Sequence, residues 1–249
     1  MRIPKAISRR DCLLLGGGLA ASWSLPATAG GRVETVVELF SSQGCKSCPP
    51  ADGLLSELRT MPGVLALTFH VDYWDYLGWK DTLASPEFSQ RQYDYAKARG
   101  DMDVFTPQMV VNGEKQMVGN QRSEVMAVIA QSRRSKWPVE LSLTEEGRET
   151  VIRVGEGEAQ DEEATLWVMP VVARTSVRIE KGEMAGREIA YTNVVRKLIP
   201  AGVWTGKALE LALPRDGLMP PGASACVTLL QQGKTGPILG CACRGSVTS

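Results

Sequence analysis

The sequence predicts an α/β domain over residues 30–136, followed by a β-rich domain over residues 137–249. Two observations indicate the first domain: apolar runs alternate with segments of helical apolar spacing, and the connections between them are short. One observation indicates the second domain, because after Trp137-Pro138 apolar and polar residues alternate over short runs separated by turn residues. No long helical pattern follows residue 136, so we expect a small sandwich or an antiparallel sheet there.

The start of the α/β domain reads as a strand, a helix and a second strand. The run ETVVELF (34–40) is typical of a buried strand, and VLALTFHV (64–71) is a second one. Between them, leucines recur at helical spacing until Pro62-Gly63 ends the helix. Short connections around one helix make a βαβ unit, which predicts that the two strands are parallel.

Three further elements follow in this domain. Ser85-Pro86-Glu87 begins a helix that Gly100 ends, since a capping hydroxyl, a first-turn proline and an early acid favour a helix start. Asn112-Gly113 predicts the turn of a hairpin. A last amphipathic helix is expected over residues 123–134.

Residues 1–29 have the pattern of an export signal. A basic start, a short apolar centre and the small residues Ala27-Thr28-Ala29 predict cleavage after Ala29. Arg9-Arg10 leaves open either an ordinary secretory route or a twin-arginine route. The predicted location is therefore periplasmic or secreted, with no membrane span after cleavage.

The segment with the most chemical information is Cys45-Lys46-Ser47-Cys48, which lies between the first strand and the first helix. A helix N-terminus stabilises a thiolate, and a two-residue spacer lets the second sulfur resolve a mixed disulfide. This arrangement favours a redox pair with an accessible Cys45 sulfur. An inert local disulfide and half of a metal site are the alternatives.

These residues also resemble a known fold and a known family. The order of strand, C-x-x-C, helix, strand and helix, with Thr106-Pro107 entering a hairpin, is similar to thioredoxin-like domains. VVELFSSQGCKSCPPAD, FHVDYWDYLGWKD and FTPQMVVNG further resemble an uncharacterised family of secreted bacterial proteins with such a domain. The resemblance implies that Pro107 is a cis-proline lying against the cysteine pair, and that Thr106 and Pro107 hold substrate.

Other candidate residues surround the cysteines in sequence. His70, the single histidine, and Asp72 are expected on one face of the second strand and are candidate proton shuttles. The alternative is that His70 is a hydrogen-bonded, half-buried structural residue. Trp74 belongs to an aromatic cluster with Tyr73, Tyr76 and Trp79. This cluster either binds an unfolded or extended substrate beside the cysteines, fills the space between domains, or caps the core beneath a loop. The charges in the same segment, Asp81 among them, are expected to be solvated or capping.

Cleavage of the leader removes Cys12 and leaves five cysteines, an odd number. Beyond the C-x-x-C pair, the remaining three are Cys226, Cys241 and Cys243. A disulfide from Cys226 to one of the other two is the expected arrangement, because an exported protein meets oxidising conditions.

The prediction is a periplasmic or secreted thiol–disulfide oxidoreductase that uses Cys45 as nucleophile and Cys48 as resolving thiol. Its partners are protein thiols or disulfides, and no cofactor or metal is expected. The 28 basic and 28 acidic residues balance, which gives no tendency toward nucleic acid. The alternative is a non-catalytic binding protein that holds copper through Cys45, Cys48 and His70, or docks a protein partner.

Overall fold

The computed structural model describes residues 32–158 and 162–248. The predicted leader, residues 1–29, lies outside them. Strand β1 (Thr35–Ser41) and strand β2 (Val64–His70) are parallel, as predicted. Helix α1 (Pro49–Leu58) connects them, and its two prolines occupy the first turn, where a missing N–H costs little. Both strands are buried along their whole length.

The next three elements are those predicted, although the last helix begins one residue earlier and ends two residues earlier than expected. Helix α2 (Pro86–Arg99) begins at Ser85, whose hydroxyl accepts the N–H of Glu87, and ends at Gly100 in the left-handed conformation. Strands β3 (Gln108–Val111) and β4 (Lys115–Val118) form the hairpin. Helix α3 (Arg122–Ser132) then packs against this hairpin.

The rest of the described chain is almost entirely strand and has one further helix, α4 (Arg215–Leu218), which is four residues long. The strands are β5 (Leu141–Glu146), β6 (Glu149–Val154), β7 (Ala164–Arg178), β8 (Glu188–Val195), β9 (Ile199–Trp204), β10 (Leu209–Pro214), β11 (Ala225–Gln232) and β12 (Ile238–Gly245).

Most strands form a single mixed sheet of nine. Its order is β12-β11-β7-β8-β2-β1-β3-β4, and β9 also pairs with β7. Strands β10, β6 and β5 form a separate sheet of three. The large sheet therefore contains strands from both sides of residue 136.

The predicted fold class, a thioredoxin-like α/β domain followed by a β-rich domain, is wrong. Over residues 32–158 and 162–248 the chain is mostly β-sheet, and no clear thioredoxin-like domain can be separated there from the nine-stranded sheet. The physical reason is the position of β8. It lies parallel to β2, with Thr68 opposite Val194, and also pairs with β7, so β2 is an interior strand rather than an edge.

Helices cover both faces of this sheet near β1. On one face, Leu39 packs with Leu55 of α1 and Ile129 of α3. On the other, Phe40 packs with Tyr95 of α2 and with residues of β7 and β11. A third apolar cluster lies between the two sheets. Within the described residues, no helix has the length and apolar character needed to cross a membrane.

Candidate functional site

Cys45 and Cys48 form a disulfide at the junction of β1 and α1. Cys48 is the N-cap of α1, and its carbonyl accepts the N–H of Asp52 at 3.0 Å. The turn before it packs closely on Trp74, since a Cβ at Gly44 would stand 3.1 Å from Cβ of Trp74. The pair is thus fixed where a strand end meets the positive end of a ten-residue helix.

The disulfide lies beneath the surface. Cys45 is 3% exposed and Cys48 is 0% exposed, whereas Lys46 and Ser47 between them are exposed. The expectation of an accessible Cys45 sulfur is therefore wrong for this oxidised form. The reason is the close contact of the turn with Trp74 and with the segment that carries Thr106.

Three of the predicted site residues surround this turn. The Trp74 indole N–H donates to the Thr106 hydroxyl at 2.8 Å, and the Ser47 hydroxyl donates to the Thr106 carbonyl at 3.4 Å. The same Ser47 hydroxyl lies 3.4 Å from the Cys45 sulfur. The bond from Thr106 to Pro107 is cis, as the resemblance implies. Trp74 and Thr106 thus lie beside the turn that carries the disulfide, and Pro107 directly follows Thr106.

The aromatic cluster divides into a surface part and an anchored part. Tyr76 is 77% exposed and stacks on Trp74 at a centroid distance of 6.5 Å. The Trp79 indole donates to Gln43 at 2.7 Å, and the Tyr73 hydroxyl donates to Gln92. Trp74 and Tyr76 therefore give an aromatic surface beside the cysteines, while Tyr73 and Trp79 fix the segment to the body.

His70 and Asp72, the two candidate proton shuttles, have different hydrogen-bond partners. His70 is fully buried, and its Nδ1 lies 2.8 Å from the Asp81 carboxylate. Asp72 instead accepts the Ser89 hydroxyl. Asp81 is buried rather than solvated. Burial acts to raise its pKa, but the charge and hydrogen bond of His70, together with backbone N–H donors, outweigh burial and lower the pKa.

Sequence reasoning missed two more residues of this buried cluster. Asp52 accepts the Ser41 hydroxyl at 2.8 Å, and burial raises its pKa to about 6 although His70 opposes the shift. Tyr191 of β8 packs edge-on against the His70 ring at 4.5 Å between centroids. Asp52 could have been identified from the sequence because it lies one helical turn after Cys48. Nothing in the sequence points to Tyr191.

The three C-terminal cysteines are free thiols, so the predicted disulfide among them is absent. In the β11–β12 ladder, Cys226 lies opposite Arg244, and Cys243 lies opposite Val227. Partners across a ladder share a face, so Cys226 and Cys243 face opposite sides of the sheet. Burial raises the pKa of Cys226 to about 12 and that of Cys243 to about 11.

No group of three or more histidine, cysteine, aspartate or glutamate side chains has a metal-binding arrangement among residues 32–158 and 162–248. The alternative in which the reduced cysteines and His70 hold copper stays a prediction. Metal analysis of the reduced protein would test it.

Comparison with known proteins adds the following. A family model described as a protein of unknown function, DUF1223, matches residues 36–231. A structural-genomics structure from Agrobacterium tumefaciens is 32% identical with a TM-score of 0.75, and the match covers 88% of this chain and 96% of that one. HBP35 of Porphyromonas gingivalis shares the fold at 12% identity and a TM-score of 0.57, over 87% and 76% of the two chains. No curated protein matches.

Proposed function

The chain belongs to the DUF1223 family of proteins of unknown function, and we propose that it is an exported thiol–disulfide oxidoreductase whose reacting pair is Cys45 and Cys48. The observation that carries the proposal is the disulfide itself, placed at the N-terminus of α1 and flanked by Trp74 and Thr106. Its substrates are protein thiols or disulfides in the periplasm or outside the cell.

The short span of the disulfide favours exchange over a structural role. The two cysteines are three positions apart. In the loop-entropy model a bond closing so few residues contributes about 2 kcal/mol, against about 5 kcal/mol for a loop of about 100 residues. The junction is already held by the buried packing of β1 and α1. A disulfide in this place therefore contributes little to the stability of the fold.

The position at the helix end supplies the chemistry. A substrate thiolate attacks the Cys45 sulfur, the Cys45–Cys48 bond breaks, and Cys48 leaves as a thiolate. A second substrate thiolate then attacks the sulfur joined to Cys45, which oxidises the substrate to a disulfide and reduces the pair to two thiols after protonation. The dipole of α1, whose positive end lies at Cys48, stabilises the Cys48 thiolate.

Burial of Cys45 sets a condition on this reaction. The attacking sulfur needs a path to Cys45, and Trp74 lies against the turn, held by its hydrogen bond to Thr106. Trp74 and Tyr76 are the aromatic surface that an incoming chain meets first. Displacement of the Trp74 ring by a bound substrate segment opens this path.

Redox titration and turnover test the proposal. The reduction potential of the pair is measured against glutathione, together with refolding of a scrambled disulfide protein. We expect a potential above about −300 mV and measurable turnover that is lost in Cys45→Ser. Cys226→Ser, which changes a thiol outside the site, is the matched control and keeps full activity. A potential well below about −300 mV without turnover would make the bond structural.

Trapping identifies the substrate. In Cys48→Ser the mixed disulfide on Cys45 cannot be resolved, so partner proteins remain attached and can be identified after export. No attached partner in Cys48→Ser, with normal folding, contradicts a protein substrate.

A further inference from the structure

Three buried polar atoms near the disulfide lack a hydrogen-bond partner among the described residues. They are Oδ2 of Asp52, Nε2 of His70 and the hydroxyl of Tyr191. They come from three elements, α1, β2 and β8. Buried polar atoms in folded proteins nearly always have a hydrogen-bond partner, so three such atoms without one in the same region need an explanation.

These three side chains belong to one cluster. The centroids of the His70 and Tyr191 rings are 4.5 Å apart. Ser41, which lies opposite His70 in the β1–β2 ladder, donates its hydroxyl to the other oxygen of Asp52.

Asp52 also relates this cluster to the disulfide. It follows Cys48 by four residues in α1, and its N–H donates to the Cys48 carbonyl, so the two side chains lie on one helical face. Cys48 is 0% exposed. A proton leaving the Cys48 thiol therefore has no direct access to bulk water and needs an acceptor inside the protein.

We propose that the Asp52 carboxylate is this acceptor, with His70, fixed by Asp81, and Tyr191 as positioning residues around it. This inference rests on the proposed function. When the pair is oxidised by a substrate disulfide, Cys45 first forms the mixed disulfide. The Cys48 thiol then gives its proton to Asp52, its sulfur attacks Cys45, the Cys45–Cys48 bond forms, and the substrate sulfur leaves as a thiolate.

The electrostatics of the cluster suit this task. Burial is the largest influence on Asp52 and raises its pKa to about 6, while the interaction with His70 lowers this pKa and the carboxylate of Asp81 raises it. Ser41 from β1 lowers it further by its hydrogen bond. An acceptor with a pKa near the operating pH both takes up and releases a proton readily.

The test is the rate of ring closure in the mixed disulfide, measured from pH 4.5 to 9 with oxidised glutathione as the probe. In the wild-type protein we expect closure to depend on a group titrating near pH 6. In Asp52→Asn we expect closure to slow by about 100-fold and that dependence to vanish. Asp72→Asn is the matched control, because its carboxylate pairs with Ser89 and not with this cluster. It should close at the wild-type rate.

The outcomes separate the two proposals. If the reduced wild-type protein does not react with oxidised glutathione at all, the redox function fails. If it reacts and Asp52→Asn has the same rate and pH profile, only the role of Asp52 fails. Should Asp52→Asn not fold, the carboxyl carbon of Asp52 is titrated by NMR in the wild-type protein. A midpoint that moves on reduction supports the acceptor, and an identical midpoint in both redox forms overturns it.

Discussion

Arg91 and Glu38 form an ion pair that is buried on both sides, with Nη2 of the arginine 2.8 Å from Oε1 of the glutamate. The same guanidinium donates to the Gln231 side-chain oxygen at 2.9 Å, and the Tyr95 hydroxyl donates to the second carboxylate oxygen of Glu38. The network joins α2 to β1 and to β11, which lies in the second half of the chain. It therefore fixes the face of the sheet opposite α1.

Removing one partner of this pair should be strongly destabilising. In Arg91→Met the Glu38 carboxylate stays buried without its counter-charge, and we expect a loss of about 3–5 kcal/mol in the free energy of unfolding. Urea unfolding measures it. Arg122→Ala, which breaks the exposed pair with Glu57, is the control and should cost less than about 1 kcal/mol. Equal losses in the two variants would show that burial of the pair has no energetic consequence.

The hairpin turn gives a second prediction, at Gly113. Its φ is +74°, and an added Cβ would stand 2.3 Å from the Gly236 carbonyl oxygen. Alanine in the left-handed conformation alone costs about 1–2 kcal/mol. Because of the added clash, Gly113→Ala should lower the free energy of unfolding by more than that. Gly53→Ala, in α1 with no atom within 4 Å of the new Cβ, should instead gain about 0.5–1 kcal/mol. Thermal unfolding compares them, and a tolerated Gly113→Ala would mean that the contact with Gly236 relaxes freely.

Local signals predicted local structure well. The Ser85 cap, the Asn112-Gly113 turn and the parallel pairing of β1 with β2 depend on residues close in sequence, and the structure has all three. The fold class was wrong because it depends on a pairing over a long separation, that of Thr68 with Val194. Nothing in the apolar pattern of β2 distinguishes an edge strand from an interior strand that β8 covers.

The candidate site was also predictable from the sequence only in part. The Cys45–Cys48 pair and the neighbouring Thr106 were predictable, since a motif or a resemblance marks each. Asp81 and Tyr191 were not, because they reach His70 from a loop and from β8 without any fixed spacing. The partner of a buried histidine is decided by tertiary packing, which the sequence does not display.

Access to the disulfide provides the third prediction. The Trp74 indole is tied to Thr106, whose carbonyl accepts the Ser47 hydroxyl beside Cys45, so Trp74→Ala should loosen the segment packed on the disulfide turn and expose Cys45. Exchange rates depend on access to the attacked sulfur, and we expect reduction by dithiothreitol to accelerate by about tenfold. Trp79→Phe, which loses the bond to Gln43 instead, should react at the wild-type rate. An unchanged rate in Trp74→Ala would show that another side chain limits access.

The buried carboxyl of Asp52 predicts an unusual dependence of stability on pH. Its pKa rises from 3.8 to about 6 on folding, so the native state binds this proton more tightly than the unfolded state. The Asp52 carboxyl therefore contributes most to the stability of the fold below pH 3.8, and this contribution is lost as pH rises through about 6. The full loss is about 3 kcal/mol, from a shift of about two pKa units. Asp52→Asn carries no proton to lose, and its amide oxygen can still accept the Ser41 hydroxyl. Relative to wild type, it should therefore gain stability as pH increases from 4 to 7.

Urea unfolding of both proteins at pH 4, 5.5 and 7.5 measures this difference. Asp101→Asn tests the sign independently, because hydrogen bonds from Arg99 lower the pKa of that exposed carboxyl. Relative to wild type, Asp101→Asn should lose stability as pH rises, which is the reverse of the expectation for Asp52→Asn. A stability difference for Asp52→Asn that stays constant from pH 4 to 7.5 would mean that the carboxyl is ionised normally. It would also remove the electrostatic support for Asp52 as the proton acceptor of Cys48.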